Sequence, residues 1–343
     1  VVCVMLAAKH ADGPMVPAEP SEAPRIVSLV PSATEILAAL GLSQYVVGRS
    51  HECDYPPELY HVPACTAPLL KTGDISSKIN DTISSLVTSG LSIYDLDLER
   101  LRALDPSHIV TQDRCDVCAV PLQAVEVALC DLGLAQTQVV SLKPKRLNDI
   151  WSDIRRIGRI FGVEGDSLAS SLTSRVEQIS QQFGSREQHT PKSVSCLEWA
   201  DPIYCAGGWL PDLISAAGGI EVTGKAGCDA VEIECSTLGD ADPSVIIFAP
   251  CGFNLKRAYK DLKLLNSRSD WQELRAVKTG ELYVVDGNQF FSRPGPRLVE
   301  SVEIAAEILH PKIFNFGHYG KNWLRVPQPA VSRDTTTTNP MAV

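Results

Sequence analysis

The chain has 343 residues, 44% of them apolar, and a formal net charge of −10. That length suits two domains of roughly 100–200 residues each, while the acidic balance argues against a nucleic-acid partner, because phosphate binding needs clustered Lys and Arg. No stretch of the sequence reaches the ~18 consecutive apolar residues that a membrane-spanning helix requires.

Residues 1–8 (VVCVMLAA) have the apolar character of the end of a signal-peptide core, without a convincing small-residue cleavage site after them. Residues 9–24 hold four prolines and several acids, so residues 1–24 read as a disordered lead-in. Order is expected from Arg25. Ile26 to Val30 reads as a strand, Pro31-Ser32 as a turn and cap, and Thr34 to Leu40 as a helix stopped by Gly41. Val46 to Gly48 is a second short strand. The loop Arg49 to Pro57 is too polar and too rich in proline to be either element. Further on, Val120 to Leu132 is a helix and Gln138 to Leu142 a strand, completing an alternating α/β lobe over residues 25–146.

From Leu147 to Phe183 apolar residues recur at helical spacing with no proline. This predicts a helix and then a long linking helix, a stiff connector over residues 147–190. A second alternating lobe, residues 191–311, follows, with strands at Ser193 to Leu197, Val245 to Ala249 and Leu282 to Val285, and helices at Pro211 to Ala217 and Pro296 to Leu309. Residues 312–343, with four threonines at 335–338, read as a poorly ordered tail.

One stretch is repeated. Leu101 to Val110 (LRALDPSHIV) returns as Leu238 to Ile247 (LGDADPSVII), and each copy runs into a loop holding a cysteine, Cys115 or Cys251. In both copies an Asp-Pro-Ser turn should end a helix, since Pro lacks the N–H that a helix interior needs and pushes its predecessor out of the right-handed α region. The apolar run after it suits a strand buried on both faces of a parallel sheet. Ligands of open α/β sheets collect beyond the carboxyl ends of such strands. The plain alternative is that Asp-Pro-Ser turns before strands are common and the shared letters few.

Several residue groups could carry chemistry. Cys115-Asp116-Val117-Cys118 reads as half of a zinc site or as a dithiol redox pair, and His51 and Cys53, from another strand-end loop, could complete a metal set. Two thiols packing a loop is the competing reading. Tyr55, Trp199, Tyr204, Trp209, Phe253, Phe290 and Phe291 fall in loops after predicted strands, where they could stack on a flat ligand or plug the lobe interiors. Pro31, Ser32, Ala33 and Thr34 place backbone N–H groups and two hydroxyls at a helix N-terminus, suited to an anionic or amide-bearing ligand edge or simply to capping. Arg293-Pro294-Gly295-Pro296-Arg297 brings two cations on a stiff turn. The chain has no Walker loop, no GxSxG, no HExxH and no GxGxxG after a strand. A two-lobed chain of this kind reads as a receptor and not as an enzyme, with no required cofactor. The eleven cysteines, without disulfide-scaffold spacing, fit a reducing compartment. An intracellular or organellar home is therefore expected, with a periplasmic or secreted one as the alternative.

The segments Arg25 to Gly41 (RIVSLVPSATEILAALG), Val47 to Pro57 (VGRSHECDYPP), Thr111 to Val120 (TQDRCDVCAV), Cys196 to Trp199 (CLEW), Pro250 to Phe253 (PCGF) and Asp286 to Pro311 resemble the solute-binding proteins of vitamin B12 and ferric-siderophore ABC importers. The HECDYP, CxxCAV and PCGF segments resemble a narrower branch labelled cobalamin-binding. The resemblance implies an α/β fold of the class III periplasmic-binding-protein kind, two Rossmann-like lobes with parallel sheets joined by a long linking α-helix. It implies a monomer that binds a corrinoid such as cobalamin, or a related metal chelate, and could serve an ABC transporter permease. The implied cleft draws on Pro31 to Thr34, His51, Glu52, Cys53, Asp54, Tyr55, Gln112, Asp113, Cys115 and Cys118 from lobe one. From lobe two it draws on Glu198, Trp199, Gly208, Trp209, Cys251, Phe253, Phe290, Phe291 and Arg293. The rival expectation is a zinc- or iron-handling or redox protein built on His51, Cys53, Cys115 and Cys118.

Overall fold

A computed structural model describes residues 23–69, 76–88, 94–113, 120–184 and 190–328. The first lobe runs β1 (Ile26–Ser28), α1 (Pro31–Ala39), β2 (Val46–Arg49), β3 (Thr66–Pro68), α2 (Ser76–Thr88), β4 (Tyr94–Leu96), α3 (Leu98–Leu104), β5 (His108–Gln112), α4 (Leu122–Leu132) and β6 (Gln138–Leu142). Two helices follow, α5 (Leu147–Phe161) and α6 (Gly165–Gly184). The second lobe begins with β7 (Lys192–Trp199), β8 (Tyr204–Cys205), α7 (Leu210–Ala216), β9 (Gly219–Glu221), β10 (Val231–Glu232) and α8 (Cys235–Ala241). It ends with β11 (Val245–Phe248), α9 (Leu255–Asn266), α10 (Ser269–Gln272), α11 (Arg275–Lys278), β12 (Leu282–Val285), α12 (Leu298–Leu309) and β13 (Trp323–Arg325).

There are two main sheets, not one. The first has the order β2-β1-β5-β6, all parallel. The second centres on β7, which is paired in parallel with β9 and β11, and β11 is paired in parallel with β12. The two sheets thus repeat one plan, with β1, β2, β5 and β6 answered by β7, β9, β11 and β12. The repeated sequence occupies equivalent places in it. Asp105 ends α3 at φ 42° and Asp242 ends α8 at φ 41°, both left-handed, and each leads into the strand beside the central one. Asp tolerates this conformation better than most residues because its short polar side chain can bond locally, and the following Pro forbids another helical turn. The strands that follow, β5 and β11, are buried along their whole length, as covering on both faces demands.

Alternation along the strands divides each sheet between two cores. In sheet one Val27, Ile109 and Val139 face an outer core with Val125 and Leu129 of α4. Ile26, Val110 and Val140 face the other way, into a cluster with Ile150, Ile154 and Ile157 of α5 and Leu172 and Val176 of α6, which continues into Val194, Ile247 and Val285 of sheet two. One apolar core therefore runs from lobe to lobe through the connector. The connector is a tight helical hairpin: a Cβ on Gly158 would lie 2.8 Å from the Gly165 Cα, so the two backbones touch where only glycine fits. Arg146, just before α5, forks onto Asp212 of α7 at 2.7 and 2.6 Å.

Two expectations change. The segment after residue 311, expected to be poorly ordered, continues as structure to residue 328: β13 pairs antiparallel with β12, and the buried Trp323 donates its Nε1–H to Glu307 at 2.8 Å. Residues 329–343 lie outside the described residues. The sequence reading also assigns nothing between Pro57 and Leu101, where the structure has the β3–β4 pair with α2 between its strands.

Because Ile154 is fully buried within the shared core, Ile154→Ala should lower stability by about 2–5 kcal/mol. Urea unfolding followed by circular dichroism should show one transition displaced as a whole. A split in which only one lobe's amplitude moves would show that the core is not shared.

Candidate functional site

The carboxyl ends of the central strands place the loop after β1, the loop after β2 and the loop after β12 within bonding distance of one another. Pro31 opens α1 directly after β1, and the backbone N-cap Val30 contributes no side-chain cap. Ser32 begins an Ser-x-x-Glu pattern that would ordinarily read as a capping box with Glu35. Instead the Glu35 carboxylate, 3% exposed, is turned onto lobe two. Its Oε1 accepts from Arg293 Nη1 at 3.1 Å and Arg297 Nη2 at 2.6 Å, and its Oε2 accepts from Arg297 Nε at 3.0 Å.

The lattice extends through Asp54. Arg293 Nη1 also donates to Asp54 Oδ1 at 2.6 Å, Asn288 Nδ2 donates to Asp54 Oδ2 at 2.7 Å, and Arg293 Nη2 donates to Asn288 Oδ1 at 3.2 Å. Gln289 Oε1 accepts from Arg297 Nη1 at 3.0 Å. The lobe-two loop is shaped locally by Asp286, whose Oδ1 accepts from the N–H groups of Asn288 and Gln289. The turn passes beside α1 at Gly295, where an added Cβ would make only ordinary contacts with Glu35 Oε2 at 3.4 Å and the Ser32 carbonyl at 3.6 Å. Two arginines meet two carboxylates, so the cations read from the sequence are already matched. Burial pushes the Asp54 carboxyl up, but the Arg293 guanidinium bonded to it holds it below the usual aspartate range.

Aromatic surface borders this lattice. The Arg297 guanidinium lies 3.9 Å from the Tyr55 ring centroid, and Tyr55 remains 38% exposed. Trp199, half-buried at the end of β7, meets Phe253 at 5.1 Å. The other expected aromatic contacts need correction. Trp209, Phe253, Phe290 and Phe291 are 7%, 3%, 3% and 0% exposed, so they plug the interior and present no free face. Trp209 donates its Nε1–H to the Phe291 carbonyl at 2.7 Å, Phe291 sits at φ 60°, and Arg257 covers the Phe253 ring at 3.7 Å. Tyr204 is half-buried in β8.

Thr34 is likewise turned inward. Its hydroxyl donates to Ser28 Oγ at 2.8 Å and lies 2.9 Å from Cys53 Sγ, so it offers nothing to a ligand, and Ser32 and Ala33 are buried beside it. Cys53 is 2% exposed, its Sγ is turned onto Thr34, and burial pushes its thiol up to about 11. His51 faces elsewhere: its Nδ1 is 2.7 Å from Thr66 Oγ1, its ring meets Tyr94 at 5.5 Å, and burial lowers its pKa. Cys115 and Cys118 lie outside the described residues. Among the described residues no group of three or more His, Cys, Asp or Glu is placed to hold a metal.

The remaining candidates are spread around the strand ends. Gln112 is buried at the end of β5, and Asp113, exposed, pairs with Lys143. Glu52 accepts from the Tyr94 hydroxyl at 3.1 Å. The Glu198 carbonyl accepts from the Cys251 N–H at 3.2 Å, tying two strand-end loops together. Gly208, at φ 58°, exchanges backbone bonds with Cys228 and Gly227 before α7. Sequence reasoning missed Glu35, Asn288 and Gln289. The lone hint for Glu35 was its place three residues after Ser32, which points to a cap. A separate pocket lined by Glu234, Cys235, Asp242, Asp270, Glu273 and Arg275 contains none of the candidates.

Comparison with known proteins adds to this geometry. The family model described as "Periplasmic binding protein" matches residues 26–288. An uncharacterized ABC transporter substrate-binding lipoprotein of Bacillus subtilis is 26% identical over 299 residues, covering 85% of this chain and 82% of that protein. The solved periplasmic vitamin B12 binding protein of Vibrio cholerae superposes with a TM-score of 0.58 at 20% identity, covering 83% of this chain and 96% of the other. A periplasmic heme binding protein of Pseudomonas aeruginosa gives a TM-score of 0.63 at 18% identity, covering 84% and 94%. Both likenesses show the class III, two-lobed fold. They also overturn the expectation of an intracellular or organellar home, since these relatives are a lipoprotein and periplasmic proteins. The eight described cysteines are free; Cys53, Cys65, Cys196, Cys205 and Cys235 are buried, while Cys130 and Cys228 are exposed.

Glu35→Ala would leave two buried guanidinium groups short of their counter-ion and should cost about 3–5 kcal/mol in urea unfolding; a loss under 1 kcal/mol would show that the lattice carries little. A depressed aspartate pKa contributes stability that is fully present above the unfolded value, about 3.9, and is lost as pH falls through the lower folded value. The Asp54→Asn chain should therefore lose less stability than the native chain on acidification below about pH 4, and equal losses would contradict the Asp54–Arg293 bond.

Proposed function

Because this chain belongs to the periplasmic binding protein family, we propose that it is a non-enzymatic receptor for a metal chelate of the corrinoid kind, held at the groove between the lobes and handed to an ABC transporter permease. The observation that carries the reading is the meeting of strand-end loops from both lobes at the Glu35–Arg293–Arg297–Asp54 lattice, with Tyr55 against Arg297 and Trp199 reached through Phe253, whose carbonyl accepts the Asn288 N–H. The resemblance of the HECDYP and PCGF segments supports a corrinoid, and the relatives named for vitamin B12 and heme support a flat metal chelate.

The charge balance of the lattice favours a ligand of the corrinoid type over a polyanionic one. An anionic chelate would find both guanidinium groups committed to carboxylates, and the buried pairs would have to open to receive it. A ring carrying neutral amide groups makes no such demand and can lie against exposed aromatic surface. The zinc, iron or redox alternative has less support: Cys53 is engaged with Thr34 and His51 with Thr66, in different surroundings.

Titration of cyanocobalamin into the purified chain should give a saturable spectral change with micromolar or tighter affinity. Tyr55→Ala and Trp199→Ala should each weaken it about tenfold, the order expected for an aromatic contact of ~1 kcal/mol with its buried area. A flat calorimetric trace at high concentration would refute the corrinoid assignment, and saturable binding of hemin in its place would move it to a porphyrin.

A further inference from the structure

The helix α2, between β3 and β4 in the sequence, is seated on lobe two. Its stem stands beside the candidate site. Thr66 of β3 accepts the His51 N–H at 3.0 Å and its hydroxyl donates to Ser50 Oγ at 3.1 Å, while Tyr94 of β4 reaches Glu52 with its hydroxyl and His51 with its ring. At the far end, the Ser76 N–H at the start of α2 donates to Asp261 Oδ1 of α9 at 3.0 Å. Ser76 is 0% and Asp261 2% exposed, so this bond is made away from water. One turn further along α2, Ile79 packs against the second lobe's own core, the cluster that holds Leu262, Phe253 and Trp271.

The landing point lies on the helix that carries Arg257. Asp261 lies four residues after Arg257 and so on the same face of α9, and Arg257 covers Phe253, the neighbour of Trp199. We infer that α2 is a strap: anchored by its stem at the lobe-one site loop and latched to α9 of lobe two by Ser76–Asp261 and Ile79, it closes one side of the groove and sets how fast a bound ligand leaves. The core shared by the two lobes explains how they keep their distance; the strap supplies the part of the assembly that can open without bending α5 and α6. A buried bond between a charged carboxylate and a backbone N–H is strong enough to hold such an element closed and single enough to release it as a unit.

The ligand part of this inference rests on the chelate reading above, so the test has two arms. Hydrogen exchange of the full chain without ligand should show the amides of residues 76–83 protected, and Asp261→Ala should speed their exchange about tenfold or more while α1 and α5 are unchanged. Ile79→Asn, which alters the strap and leaves α9 intact, should do the same. With cyanocobalamin bound, dissociation should accelerate about tenfold in both variants. Exchange in residues 76–83 that stays at the native rate in both variants overturns the strap, as does ligand release that stays at the native rate although exchange shows α2 freed. A native chain that binds no cyanocobalamin refutes the corrinoid assignment, and the exchange arm then decides the strap by itself.

Discussion

The arrangement depends on a carboxylate that belongs to one lobe and is solvated by the other. Glu35 is almost wholly buried at the start of lobe one, and its counter-ions, Arg293 and Arg297, stand on the loop before α12. Burying such charges carries a desolvation penalty of several kcal/mol per ion, and only close geometry with further hydrogen bonds offsets it. The bidentate approach of Arg297, the sharing of Arg293 between Glu35 and Asp54, and the satisfaction of the leftover donors by Asn288 and Gln289 supply that geometry. A lattice of this kind adds less to net stability than to register. It selects one relative placement of the two strand-end rims, and that placement is what a shared binding groove needs.

The apolar core does complementary work. Packing is close and interiors deform little, so a cluster running from Ile26 through Ile154 to Ile247 makes the lobes and the α5–α6 hairpin one mechanical unit. Hinge closure of the sort found in receptors with flexible crossovers would have to disrupt it. The strap packs on the separate outer core of lobe two, so its release leaves that shared packing untouched. Rigid frame and adjustable rim are thereby assigned to different residues.

Much of the frame was legible in the sequence because its signals are local. Asp105 and Asp242 announce helix ends through the Pro that follows each, and the adjacent pair Ile109-Val110 and the run VIIF announce doubly covered strands through their lack of alternation. The periodicity after Leu147 announces the connector. The site was less legible because its determinants are not local. Aromatic residues after strands can turn to the groove or back to the core, and neither composition nor spacing sets the direction: Tyr55 turned outward, while Trp209, Phe290 and Phe291 turned in. Glu35 looks like a helix cap until its partners near the other end of the chain are known. The strand β13 was invisible for a related reason, since three residues held by backbone pairing and one Trp–Glu bond leave almost no pattern.

The most direct test of the central claim is a double-mutant cycle on Glu35 and Arg297, using Glu35→Gln, Arg297→Met and the double variant in urea unfolding. If the lattice couples the lobes, the two single losses should exceed the double loss by about 1.5 kcal/mol or more, within the range seen for residues sharing one ionic network. Losses that simply add, within about 0.5 kcal/mol, would show that the two side chains do not depend on each other and would remove the basis for a groove held in register by buried charge.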